Sequence, residues 1–174
     1  FRIEPREGAA TRTREPMHAG VSLHFEAPKA NKRGLALDLT DPEDLNTLRT
    51  LIADADIFIE AGRPGALAEL GLGIEELLAI NPSLIAVSVS DFGQTGPYRD
   101  WLGTNWTQMA IGSVLSRSGI PGRAPVQPPG ELALEAAAVQ AAYTALVAYY
   151  HRLNTGQGEY VDSSVFESTM QVMD

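Results

Sequence analysis

Few side chains in this 174-residue sequence combine the type and the setting that covalent chemistry needs. Glu135 is the foremost of them. It lies in the first turns of a long, mostly apolar segment and shares the helically spaced stripe Leu132, Val139, Ala142, Tyr143, Leu146 and Tyr150. If that stripe faces a core, the carboxylate gains from the helix N-terminus and loses hydration, so its pKa could be tuned for nucleophilic work. The alternative is a first-turn acid that complements the helix dipole and reaches solvent.

Anion binding has two candidates. Gly62-Arg63-Pro64-Gly65 follows a strand pattern, and open α/β sheets bind ligands beyond the C-terminal ends of their strands. Its arginine offers a charged donor fork suited to phosphate, and its glycines allow close backbone approach. The run containing Lys29, Lys32 and Arg33 is the densest cationic cluster and could hold the phosphates of a long anionic cofactor. Read alone, these features better suit an ordinary turn and a solvated surface.

Other chemistries are poorly supported. His18 and His24 lie six apart in a loop-like region, which is no standard ligand spacing, and His151 sits near a helix C-terminus that suits an imidazole. The absence of cysteine excludes a thiolate zinc site, a disulfide framework and a cysteine nucleophile. No metal is expected. No Gly-x-Ser-x-Gly elbow, Walker loop or dinucleotide glycine fingerprint is present, which argues against serine hydrolases, P-loop enzymes and ordinary NAD enzymes.

The elements that must position these residues follow from periodicity. Residues 1–5 alternate like the end of a strand, and polar residues 7–20 read as a surface loop. Strands are expected at 34–39, 56–60 and 84–90. Between them come a helix capped by Thr40 or Asp41, a short helical piece ending at Leu70-Gly71, and a helix over 74–80. That alternation predicts a doubly wound α/β arrangement with a parallel sheet and right-handed crossovers. A helix follows near 106–115, then a loop rich in Gly and Pro over 119–130. The longest helix is expected over about 131–153, where eight alanines occur without Gly or Pro, and a return strand over about 160–166.

Thirteen Lys and Arg against twenty-two Asp and Glu give a net charge of −9, which argues against a nucleic-acid surface. It leaves room for an anionic ligand held by a few clustered cations. The 44 % hydrophobic and 20 % charged content is ordinary for a globular chain and excludes disorder. No apolar run approaches about 18 residues, so no membrane span is expected and the cytoplasm is the expected location. Both ends read as cut from something longer.

The motifs, taken in order, resemble one family across nearly the whole chain. They are Ile3-Glu4-Pro5, Asn31-Lys32-Arg33-Gly34-Leu35-Ala36-Leu37-Asp38-Leu39, Glu60 with Arg63-Pro64-Gly65, and Leu70-Gly71-Leu72. Then come Asn81-Pro82-Ser83-Leu84-Ile85, Phe92-Gly93-Gln94-Thr95-Gly96-Pro97-Tyr98, Thr155-Gly156-Gln157-Gly158-Glu159 and Val161-Asp162-Ser163-Ser164. Together they resemble CoA-transferase family III, the CaiB/BaiF type that includes formyl-CoA and carnitine CoA-transferases and α-methylacyl-CoA racemases.

The resemblance implies that residues 1–174 are part of a Rossmann-like large domain, clipped in its first strand and without the family's small domain. It implies interlocked homodimers, or a tandem or paired family III domain, acting on acyl-CoA and a small carboxylic acid. By position, coenzyme A contacts would come from Leu37, Asp38, Leu39 and Thr40, from Ala61, Gly62 and Arg63, and from Trp101, Leu102, Gly103 and Thr104.

In the transferases of the family an Asp at the start of the long helix attacks the donor thioester. The released CoA thiolate then converts the mixed anhydride to an enzyme-bound thioester. Here Leu134 occupies that position, and Glu135 is its neighbour, about 100° further round the helix. Thr40 stands where the family often has Lys, Ala61 where it usually has Asn, and the racemase His is absent near Gly103-Thr104-Asn105. The resemblance therefore implies a retained fold with a replaced nucleophile. Its alternatives are an active transferase using Glu135, an acyl-CoA racemase, or a CoA-binding sensor.

Overall fold

Pairing is parallel between all strands longer than two residues, as the alternation of strands and helices predicts. The computed structural model describes residues 1–172 and divides into two units, Phe1–Leu51 and Ile52–Asp174. In the first unit β1 (Arg2–Glu4) leads to a 3-10 turn at Ala10–Thr13 and to the hairpin of β2 (Met17–His18) and β3 (Val21–Ser22). Residues 7–20, read as irregular loop, therefore carry short local structure. Helix α1 (Leu23–Lys29) is capped by the Ser22 hydroxyl, which accepts from Phe25 N at 3.3 Å. Pro28 inside this helix hides it from periodicity. β4 (Gly34–Ala36) pairs with β1 and is shorter than the 34–39 expected, and α2 (Pro42–Ala53) follows.

One buried carboxylate organises the first unit. Glu4 accepts from Arg12 Nε at 2.9 Å and Nη2 at 2.5 Å, from Ala9 N at 3.1 Å, and lies 3.1 Å from Arg2 Nη1. The same two guanidinium groups lie 4.4 and 4.2 Å from the Phe25 ring centroid, a doubled cation–π contact. The Arg12 hydrogen bond, against the opposing effect of burial, brings the Glu4 carboxyl from the ordinary 4.5 to about 2.

The second unit contains the sheet that carries most of the candidate site. β5 (Ile57–Ala61), α3 (Ala66–Glu69), α4 (Ile74–Ile80), β6 (Ile85–Ser90), α5 (Asn105–Ile111), α6 (Leu132–Thr155), β7 (Glu159–Ser164) and α7 (Val165–Gln171) follow in order. The sheet order is β5-β6-β7, all parallel, with Glu60, Ser88 and Asp162 side by side in the register. Residues 165 and 166, expected in the return strand, open α7 instead. The Ser164 hydroxyl accepts from Glu167 N at 3.0 Å and caps that helix. α6 runs two residues beyond 153 and ends at Gly156 in the left-handed region.

The face that α6 buries is not the one its large residues mark. Ala133, Ala137, Ala141, Ala145 and Ala148 are buried, the last three against Ile85 and Val87 and the first two among Met109, Leu115 and Val165. Val139 and Tyr150, on the stripe expected to face the core, are 71 and 70 % exposed, and Ala142, Tyr143 and Leu146 are exposed with them. The reason is steric. Alanine lets the helix backbone approach the sheet closely, so the larger side chains turn away. α6 also has the length and composition of a membrane-crossing helix, although no continuous apolar run marks it in the sequence. Its alanine face is nevertheless engaged with β6 and β7, as in a core helix of a sheet.

Two outcomes are expected. Ala141→Leu overpacks the helix–sheet contact and costs about 1–3 kcal/mol or more in denaturant unfolding. The Glu4 network should make stability acid-sensitive in a defined direction. Because the folded carboxyl is depressed, its contribution is intact above pH 4.5 and is lost as pH falls towards 2. Denaturant midpoints across that window check this, and Glu4→Gln should flatten the dependence.

Candidate functional site

The C-terminal ends of β5 and β6 emerge beside each other, because the strands are parallel and in register from Ile57 opposite Ile85 to Ala61 opposite Val89. Gly62 N donates to Val89 O at 3.1 Å, which anchors the turn that follows β5. Gly65 has φ +81, a conformation that favours glycine, and a Cβ there would stand 3.2 Å from Arg99 Nη2. Arg99 therefore joins the Gly62–Gly65 turn to the segment that contains Trp101, Leu102, Gly103 and Thr104. Arg63, expected to meet phosphate, is exposed and ion-paired with Glu69 of α3. Ala61 and Gly62 are exposed as well.

Asp91, the residue after β6, links the second segment with α5 and α7. Its Oδ2 accepts from Gly103 N at 2.7 Å, and its carbonyl accepts from Gln108 Nε2 at 3.0 Å and Phe166 N at 3.1 Å. Gln108 is fully buried under the loop, and a Cβ on Gly103 would collide with its Nε2. Thr104 caps α5 by accepting from Thr107 N at 3.2 Å. Trp101 stacks on Tyr98 with ring centroids 4.5 Å apart, and both rings meet Phe92. Leu102 projects into solvent.

Glu60 lies at the end of β5, near Gly62. Burial pushes its carboxyl up, a hydrogen bond from Ser88 opposes this, and the charge of Asp162 adds to the rise. Among the described residues no three His, Asp or Glu side chains gather to hold a metal ion. His151 Nδ1 lies 3.4 Å from Glu159 Oε1, and neither residue lies on the expected site segments.

The start of α6 is tied to α5 by Asn105, whose Oδ1 accepts from Ala133 N at 3.0 Å. Leu134 and Glu135 are both exposed, so Glu135 does not share a core-facing stripe. The alanine face takes the sheet and rotates Glu135 outward. Its side chain lines an open groove of about 350 Å³ between α6 and α7, with Leu132, Val139, Gln140, Ser168 and Val172.

In the first unit, Leu37 is buried, Leu39 half-buried, and Asp38 and Thr40 exposed. Asp38 Oδ1 accepts from Thr40 N at 2.9 Å and Oγ1 at 2.6 Å, a local turn that uses the threonine hydroxyl. Lys32 Nζ donates to Pro28 O at 2.5 Å, and burial with the nearby Arg2 and Lys32 charges pushes the Lys29 ammonium down.

A profile of CoA-transferase family III matches residues 1–174. The chain belongs to CoA-transferase family III. It is 39 % identical over 174 residues to a probable CoA-transferase of Mycobacterium tuberculosis, covering all of this chain and 22 % of that one. It is 37 % identical over 160 residues to the beta subunit of a Chloroflexus aurantiacus succinyl-CoA–L-malate CoA-transferase, covering 91 % of this chain and 40 % of that one. Its fold is similar to the crystal structure of a CaiB/BaiF family protein from Brucella suis, with a TM-score of 0.93 and 31 % identity over 98 % of this chain and 47 % of that one. The chain thus spans less than half the length of each of these proteins.

Asp91, Arg99 and Gln108 are the residues that sequence reasoning missed. Asp91 and Arg99 sit in irregular backbone between 91 and 104, where periodicity carries no information, and Gln108 is a polar residue that the helix pattern leaves unassigned. The tight fit under Gly103 has a measurable consequence. Gly103→Ala should cost about 1–3 kcal/mol in chemical denaturation, because the added methyl meets an amide held by Asp91. Gln108→Ala in the same chain should recover part of that loss, a non-additivity read from the double-mutant cycle.

Proposed function

We propose that this chain is the non-catalytic large-domain segment of a fused or paired acyl-CoA:carboxylate CoA-transferase. It holds acyl-CoA, while the covalent exchange takes place on a carboxylate of a second family III domain. The observation that carries this reading is the first turn of α6. Leu134, at the position where the resemblance expects the nucleophilic Asp, is exposed there and has no group able to attack a thioester. Asn105 holds that turn by its Ala133 amide, which supports an ordered first turn that lacks a carboxylate at position 134.

Three further observations support it. The Mycobacterium relative is roughly twice the length of the Chloroflexus one, judged by the 22 and 40 % shares that this chain covers, so it has room for two such domains. The Chloroflexus relative is itself a named subunit of a multi-subunit transferase. The large apolar side chains that α6 leaves exposed suit burial against another domain or an interlocked partner chain. Acyl-CoA and a small carboxylic acid are the substrates in this reading, and the cytoplasm its setting.

CoA would lie beyond the C-terminal ends of β5 and β6, against Ala61, Gly62 and Arg63 and the segment from Trp101 to Thr104. Asp91 and Gln108 fix the backbone of that segment. The Arg63–Glu69 pair is exposed, so a polyphosphate can displace the acid at small cost.

A second reading, an active domain that uses Glu135, is favoured by the exposure of that carboxylate in the α6–α7 groove. One experiment separates the two. The full-length protein is incubated with an acyl-CoA donor, trapped with hydroxylamine or borohydride, and mapped by mass spectrometry. The expected result is no adduct within residues 1–174, an adduct on an acid of a second family III domain, and an exchange rate unchanged by Glu135→Gln. An adduct on Glu135 would replace the first reading by the second.

A further inference from the structure

We infer that Arg99 is a phosphate-binding residue of the CoA site, presenting its guanidinium across the Gly62–Gly65 turn. This deepens the CoA-binding reading and rests on it. The position of the side chain is the starting point. Arg99 lies between Tyr98 and Trp101, whose rings stack on each other at 4.5 Å and pack on Phe92 at 6.2 and 6.1 Å. Backbone bonds from Arg99 N to Gly96 O at 3.3 Å and from Trp101 N to Tyr98 O at 2.9 Å tighten the same segment. The backbone that carries Arg99 is therefore held in place, and its Nη2 reaches the turn at Gly65, where a Cβ would stand 3.2 Å from it.

The two arginines at this turn differ in how firmly an acid holds them. Arg63 is in short contact with Glu69. Arg99 is 3.6 Å from Asp100 Oδ1, beyond hydrogen-bond distance, and the Asp100 side chain is 82 % exposed. An incoming phosphate thus meets a partly exposed guanidinium whose nearby acid is loosely engaged and well hydrated. A planar donor fork can give two parallel hydrogen bonds to phosphate oxygens, which an ammonium cannot reproduce. The turn that Arg99 reaches follows β5, at the strand ends where α/β sheets receive ligands.

The test uses the full-length protein and calorimetric titration with CoA, with desulfo-CoA as a non-reactive check. Arg99→Gln should weaken CoA binding about tenfold and lower the dependence of the affinity on salt. Arg99→Lys should restore part of the loss. Asp100→Asn leaves the guanidinium in place, removes its acid and should tighten binding severalfold, so a misfolded Arg99→Gln protein does not end the test. Equal CoA affinity in the wild type, Arg99→Gln and Asp100→Asn would overturn the role of Arg99 while leaving CoA binding intact. Failure of the wild-type protein to bind CoA would instead overturn the functional reading itself.

Discussion

Close contact between α6 and the parallel sheet is the constraint from which the second unit takes its form. Alanines at 133, 137, 141 and 145 recur every four residues and put a nearly flat face on the helix. A helix that approaches a sheet this closely has no room for branched side chains on the contact face. The bulk it carries must therefore point elsewhere. That choice seats Ile85 and Val87 against the helix and exposes Tyr143, Leu146 and Tyr150. It also turns Leu134 and Glu135 to the surface at the end where chemistry is expected.

Much of the architecture was legible because it rests on local signals. Helix α4 runs over the expected 74–80, and β5 and β6 fall within one residue of their alternation patterns. The α/β class follows from the order of these elements. The main difference, on α6, arises because side-chain size does not by itself mark burial. Large apolar residues on a long helix mark its core face only when the partner surface leaves room for them, and no single-sequence pattern states how close two elements will pack. The boundary at Ser164 was lost for a different reason. A serine ending one element and capping the next reads equally well as strand.

The candidate site divides in the same way. Its turn at Gly62–Gly65 was visible, since glycine and arginine after a strand carry their own meaning. Asp91 and Gln108 were not, because their importance lies in which atoms they reach: a backbone amide twelve residues away for one and a backbone carbonyl seventeen residues away for the other. Neither spacing belongs to a regular element. Irregular loops in α/β proteins are organised by such individual side-chain to backbone bonds, and single sequences do not announce them.

The far end of α6 carries Arg152, which reaches Asp56 Oδ1 at 2.6 Å and Ser83 O at 3.0 Å and lies over the Tyr149 ring at 4.4 Å. A 24-residue helix is about 36 Å long. Arg152 therefore clamps one end of a stiff rod whose other end carries Leu134 and Glu135. A rod clamped at its base and laid on a narrow alanine track can neither tilt nor roll freely, because rotation about its own axis would drive a bulky neighbour of the track into the sheet. The azimuth of the first turn, and hence which side chain a ligand would meet there, is then set by the alanine track and pinned by Asn105 at the tip and Arg152 at the base.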